Sequence, residues 1–199
     1  KKRPWWHWGM ASFALLAVVG RLFSTNMTLM LTPEKWKPLY EASANGTALP
    51  PTDPTMWPRF AVLFLGAFSL GALGTSLWSN LGSVSDSTRT FIRRWCAIAA
   101  IAFLPLLAAA GSWALSAQPE SVQAGLQVGV AASLRTLWIA ATTTAFLSAI
   151  WLLLSAQRKT AWPSIVGAVA ATTSIAAWTI LRDEVRDLTL KPKGLDVWA

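Results

Sequence analysis

Few side chains in this sequence could carry chemistry. Among 199 residues there is one histidine, His7, and one cysteine, Cys96. A thiolate iron–sulfur cluster needs about four cysteines and a bis-histidine haem needs two histidines, so this chain alone holds neither. A structural zinc site fails the same count, and Cys96 has no partner for a disulfide. No aspartate or glutamate falls within the apolar runs described below, which removes the carboxylate relay typical of proton-coupled pumps. Catalytic residues are not expected, and the identity of any cofactor is left open.

The strongest remaining group is Arg21, near the centre of the first apolar run. Ser24, Thr25 and Thr28 share its helical face at i+3, i+4 and i+7, and Asn26 lies close by. A lone guanidinium at mid-membrane costs roughly 2.5–3.5 kcal/mol on the insertion scale. Backbone carbonyls, a water-filled cavity, a quinone or cofactor oxygen, or an acid on another subunit would offset it. Arg21, Asn26 and Thr28 are therefore cofactor-binding candidates, together with His7 in Trp5-Trp6-His7-Trp8. A lone interfacial histidine is ordinarily just solvated. Arg135, three residues before Trp138, reads as a snorkelling anchor stacked on that ring.

These groups sit on elements of unmistakable character. Hydrophobic residues make up 54% of the chain and charged residues 13%, against about 25% charged in soluble domains. Apolar runs of about 20 residues cross a bilayer core as helix. Five occur, over 10–31, 59–78, 95–115, 133–155 and 164–181. The expected fold is an all-α integral membrane protein, a single domain of about five transmembrane helices. An outer loop over 32–58 and an amphipathic extension over 182–199 complete it. Pro105 is the expected kink.

Basic residues set the expected orientation. Lys1, Lys2, Arg3, Arg89, Arg93, Arg94, Arg158 and Lys159 fall on one side against Asp86 alone, a net +7. The other side is near neutral. The N-terminus is thus expected in the cytoplasm and the C-terminus outside, in a bacterial inner membrane. Lys1-Lys2-Arg3 before an apolar run also resembles a signal peptide. Arg21 interrupts that run and no clean cleavage site follows, so a retained anchor is expected. Asn45-Gly46-Thr47 fits a glycosylation acceptor, but use of it is not expected. The basic residues sit at helix ends rather than in one stripe, so nucleic acid is not an expected partner.

Tryptophan supports the same topology, since indole favours the membrane–water interface. Trp57 and Trp78 bracket the second run about 31 Å apart as helix. Trp95 with Trp113 and Trp162 with Trp178 bracket the third and fifth. Trp138 and Trp151 are too close together to mark both edges of the fourth. Ala67, Gly71 and Thr75, and again Gly167 and Ala171, form small-residue stripes that let helices approach closely.

Two outer features suggest a docking surface. The loop carries Trp36, Tyr40 and Trp57, and loops this long are often binding elements. Beyond the fifth run, Leu181, Val185 and Leu188 keep an apolar face while Arg182 and Arg186 share a row. Pro58-Arg59-Phe60, opening a span rich in small residues, resembles the membrane haem-b subunits of respiratory complexes. Those carry histidines within their spans and this chain has none there, so the resemblance carries no residue over. The expected role is a non-catalytic anchor or scaffold subunit of a bacterial energy-transducing complex, respiratory or photosynthetic. It would contact the bilayer and other membrane or periplasmic subunits, and line a quinone, lipid or pigment site. The alternative is a small transporter or channel for an anionic solute, using Arg21 and Arg135.

Overall fold

Each apolar run becomes a helix, and three of the five extend past the run at both ends, because the flanking residues supply starts and stops. A computed structural model describes residues 6–43, 45, 53–158 and 160–195. Helix α1 spans Trp6–Leu29, α2 Trp36–Ala42, α3 Met56–Leu81, α4 Asp86–Ser116, α5 Glu120–Gly125, α6 Gly129–Leu154 and α7 Trp162–Leu190. Five of these, α1, α3, α4, α6 and α7, are long and apolar enough to cross a membrane. The chain is an integral membrane protein whose helices contact the bilayer. Lys1–Arg3, Trp5, Gly46, Thr47 and Lys159 lie outside the described residues, as do 196–199 of the expected extension.

The helix starts follow local chemistry. Ser85 caps α4, accepting from the Thr88 amide at 3.3 Å, and Asp86 adds negative charge in the first turn, where the helix dipole favours it. Before α3, the Asp53 carboxylate accepts from the Thr55 amide at 2.8 Å and its hydroxyl at 2.6 Å. Gly129 opens α6 with φ +61° and Gly194 follows the last turn with φ +75°, a region open to glycine at little cost. Helix α4 runs through Pro105 without interruption. The outer loop contains a 3₁₀ turn over Pro33–Lys35 and then α2. Helix α5 was not anticipated.

Helices α3 with α4 and α6 with α7 pair as hairpins, joined by α4 against α6 and α3 against α7. The core is built largely from alanine. Ala97, Ala100 and Ala110 of α4 meet Ala145 and Ala149 of α6 and Ala170 and Ala171 of α7, with Leu73, Leu104 and Leu152 between them. In lipid, burial of apolar surface does not itself drive helices together, so close packing and hydrogen bonds must. Both are present. The Ser76 and Ser164 hydroxyls meet at 2.8 Å, Thr142 and Ser174 at 2.7 Å, and Ser148 donates to the Pro163 carbonyl at 2.6 Å. Gly167 lies on this interface, where an added Cβ would stand 3.0 Å from Leu73 and 3.2 Å from Ser148 Oγ. The other stripe differs: Ala67, Gly71 and Thr75 are exposed.

Helix α1 stands at the periphery and packs chiefly on α3. Phe13 meets Phe64 edge-on at 5.4 Å, and Phe60, Phe64, Phe68 and Phe103 continue as a chain of ring contacts into α4. Over Trp6–Leu16 every residue of α1 is exposed.

Candidate functional site

A cavity lies at the end of the bundle remote from the start of α1. Its volume is about 120 Å³, and it forms where four helices end or begin. Helix α1 contributes Ser24 and Met27, and Leu31 follows it; α3 contributes Arg59; α4 reaches the cavity with Leu115; and Gln118 follows that helix. From α7 come Trp178, Arg182, Asp183 and Arg186. Three guanidinium groups thus face one carboxylate over a mostly apolar lining. This position follows from topology, since antiparallel neighbours bring the C-terminal ends of α1, α4 and α7 beside the N-terminal end of α3.

The partners of these groups are uneven. Arg182 lies 3.4 Å from Asp183, and Arg186 3.9 Å from Asp187. The side chain of half-buried Arg59 has one hydrogen bond among the described residues, a long 3.5 Å donation to the neutral Gln118 Oε1. The nearby Asp53 is engaged by Thr55 and, at 3.9 Å, by Lys35. Ser24 is 1% exposed and its hydroxyl oxygen has no hydrogen-bond partner among the described residues. At the rim, Lys193 donates to the Leu31 carbonyl at 3.2 Å and to Glu34 Oε2 at 2.9 Å. This contact straps the end of α7 to the end of α1. A hydrogen bond with its own backbone and then the Lys193 ammonium hold the Glu34 carboxyl below its ordinary value.

The sequence candidates fall in several places. Arg21 donates to the Thr25 hydroxyl, and its guanidinium lies 4.7 Å from the centre of the Trp57 ring. Its contacts therefore come from within the chain. Thr28 is buried and donates to the Ser24 carbonyl at 2.9 Å, whereas Asn26 is exposed. His7 is exposed and stacks on Trp6 at 3.6 Å, far along α1 from the cavity. Exposed Arg135 borders a second hollow with Gln123, Gln127 and Trp138. Neither hollow includes Arg21.

Of the docking candidates, Trp36 is half exposed and donates to the Leu29 carbonyl at 2.7 Å, and Tyr40 is 72% exposed. Trp57 is taken by Arg21 and Phe60. Val185 and Leu188 are not free, because Val122 and Leu126 cover them within the chain. Leu188 fills the space beside Gly125, where an added Cβ would stand 2.7 Å from its Cδ2. Trp178, read as an edge marker, faces the cavity and packs 5.0 Å from the buried ring of Trp138.

Sequence reasoning missed Arg59, Ser24 and Gln118 as one constellation. It also missed Arg93, which is 1% exposed. No group of three His, Cys, Asp or Glu residues that could hold a metal ion occurs among the described residues. Compared with protein-family models, curated proteins and solved structures, the chain matches none.

Proposed function

We propose that the protein is a non-catalytic subunit of a larger membrane complex, anchoring partners through α1. The observation that carries this reading is the first half of α1. Phe13, Leu15, Leu16, Val18 and Val19 are all largely exposed on a helix that uses only one narrow face against α3. A helix apolar all round is suited to burial among other helices or lipid. The exposed small residues Ala67, Gly71 and Thr75 beside it would let another helix approach closely. The basic end of the bundle favours a cytoplasmic N-terminus in a bacterial inner membrane. Membership of an energy-transducing complex is part of the proposal.

The reading is tested by photo-crosslinking in native membranes. A crosslinking residue at Leu16 should label other membrane proteins in fixed ratio, and the same proteins should co-purify in mild detergent. A probe at buried Leu104 should label none of them. A chain that labels only lipid and purifies alone would overturn the proposal. Anion flux by that lone chain in liposomes, abolished by Arg135→Leu, would establish the transporter reading instead.

A further inference from the structure

We infer that the cavity beneath the Lys193–Glu34 strap binds the phosphate of an anionic amphiphile, held by Arg59 and Arg182 and reached sideways from the bilayer. Three features converge on this. The first is charge: three guanidiniums and one carboxylate line the cavity, a net +2. Asp183 is the near partner of Arg182, while the Arg59 guanidinium has a long hydrogen bond to a neutral amide and feels the Asp53 charge without an ion pair between them. A half-buried guanidinium not hydrogen-bonded to a carboxylate is costly, and a phosphate accepts from its fork in two parallel bonds. The second is Ser24, whose buried, unpartnered hydroxyl lines the same cavity. A buried polar group ordinarily has a partner, and a phosphate oxygen provides one.

The third feature is shape. About 120 Å³ is small beside the 300–1,000 Å³ typical of whole-ligand pockets, so it suits a headgroup rather than a complete molecule. Phe23 and Leu63 line the cavity and are also half exposed on the outside of the helices. They make a lateral mouth along which an acyl chain lies in the bilayer while the phosphate turns inward. The strap meets the cavity at Leu31, whose carbonyl accepts from Lys193. This inference stands apart from the subunit proposal, because a lone chain and an assembled one would both bind.

The test uses the full chain in detergent with phosphatidylglycerol or diacylglycerol of equal chain length, read by native mass spectrometry. The wild type should retain phosphatidylglycerol about tenfold more than diacylglycerol, which lacks the phosphate, the scale of one charge-assisted contact. Arg59→Gln should bring that ratio close to one, whereas Arg21→Gln, outside the cavity, should leave it unchanged. Should Arg59→Gln fail to fold, Arg182→Gln and Ser24→Val serve, each lowering the ratio. Displacement by millimolar inorganic phosphate would assign recognition to the phosphate alone. Resistance to displacement would assign it to headgroup and chain together. Equal retention of the two lipids by the wild type would overturn the inference, as would a preference that survives loss of either arginine.

Discussion

Arg93 donates to the Arg158 carbonyl at 2.6 Å, a contact between two arginines 65 residues apart in the chain. Arg93 also donates to the Ser155 carbonyl at 3.3 Å. Both acceptors lie at and just beyond the C-terminal end of α6, where carbonyls lack helical partners and the dipole is negative. A buried cation therefore closes one helix from the flank of another. Arg93→Leu removes the donor to the Arg158 carbonyl, while the Ser155 carbonyl keeps the Arg158 amide at 2.9 Å. The expected loss is about 2–4 kcal/mol, from a charged hydrogen bond plus the stranded acceptor. Thermal unfolding in detergent checks it, and Arg93→Lys should recover only part.

The ring of Trp138 occupies the space that a side chain on Gly111 would need, and Trp178 lies 3.2 Å from the same point. Both sides are fixed, since Trp138 is 2% exposed. Gly111→Ala should thus cost about 1–3 kcal/mol through overpacking. The loss should be partly reversed in Gly111→Ala combined with Trp138→Leu, where the smaller side chain yields room. A double-mutant cycle measures that coupling. Simple additivity would mean that the two residues do not share this space.

Arg21 and Arg93 invert their apparent ranking. From hydropathy, Arg21 is the exposed liability and Arg93 a surface charge. In the fold, Arg21 is half exposed, with Thr25 and the Trp57 ring as partners. A cation–π contact at such a site contributes about 0.5–1 kcal/mol. Arg21→Leu should therefore destabilise by no more than about 1 kcal/mol, measured beside Arg93→Leu under the same conditions. An equal loss for both would refute the ranking.

The five long helices were legible because about 20 apolar residues between turn formers leave little alternative in a bilayer. Arg93 was legible in part. It lies on the row of Ala97, Ala100 and Leu104, which are all buried, but the apolar run starts after it. The partner of Arg21 was not legible, because Trp57 returns to it only when the outer loop folds back. Leu181, Val185 and Leu188 pack in one cluster with Val122 and Leu126. Their cover is α5, only six residues long, too short to show a period. The cavity was hidden for a related reason: Ser24, Arg59, Gln118 and Arg182 come from four separate segments that only topology brings together.

The Glu34–Lys193 strap gives the site a pH dependence whose sign follows from the carboxyl. Its own backbone hydrogen bond and then Lys193 lower its value in the folded protein. A depressed carboxyl contributes fully above the unfolded value of about 4.3. It loses that contribution as pH falls through the lower folded value. Protonation of Glu34 removes the carboxylate from the strap and leaves it only the Lys193 donation to the Leu31 carbonyl. Hydrogen exchange at the ends of α1 and α7 should hence speed up below about pH 4.3, while the core of α4 remains unaffected. In Glu34→Gln the exchange should already be fast at neutral pH and should lose that acid step. An acid step that persists in Glu34→Gln would refute the assignment to Glu34.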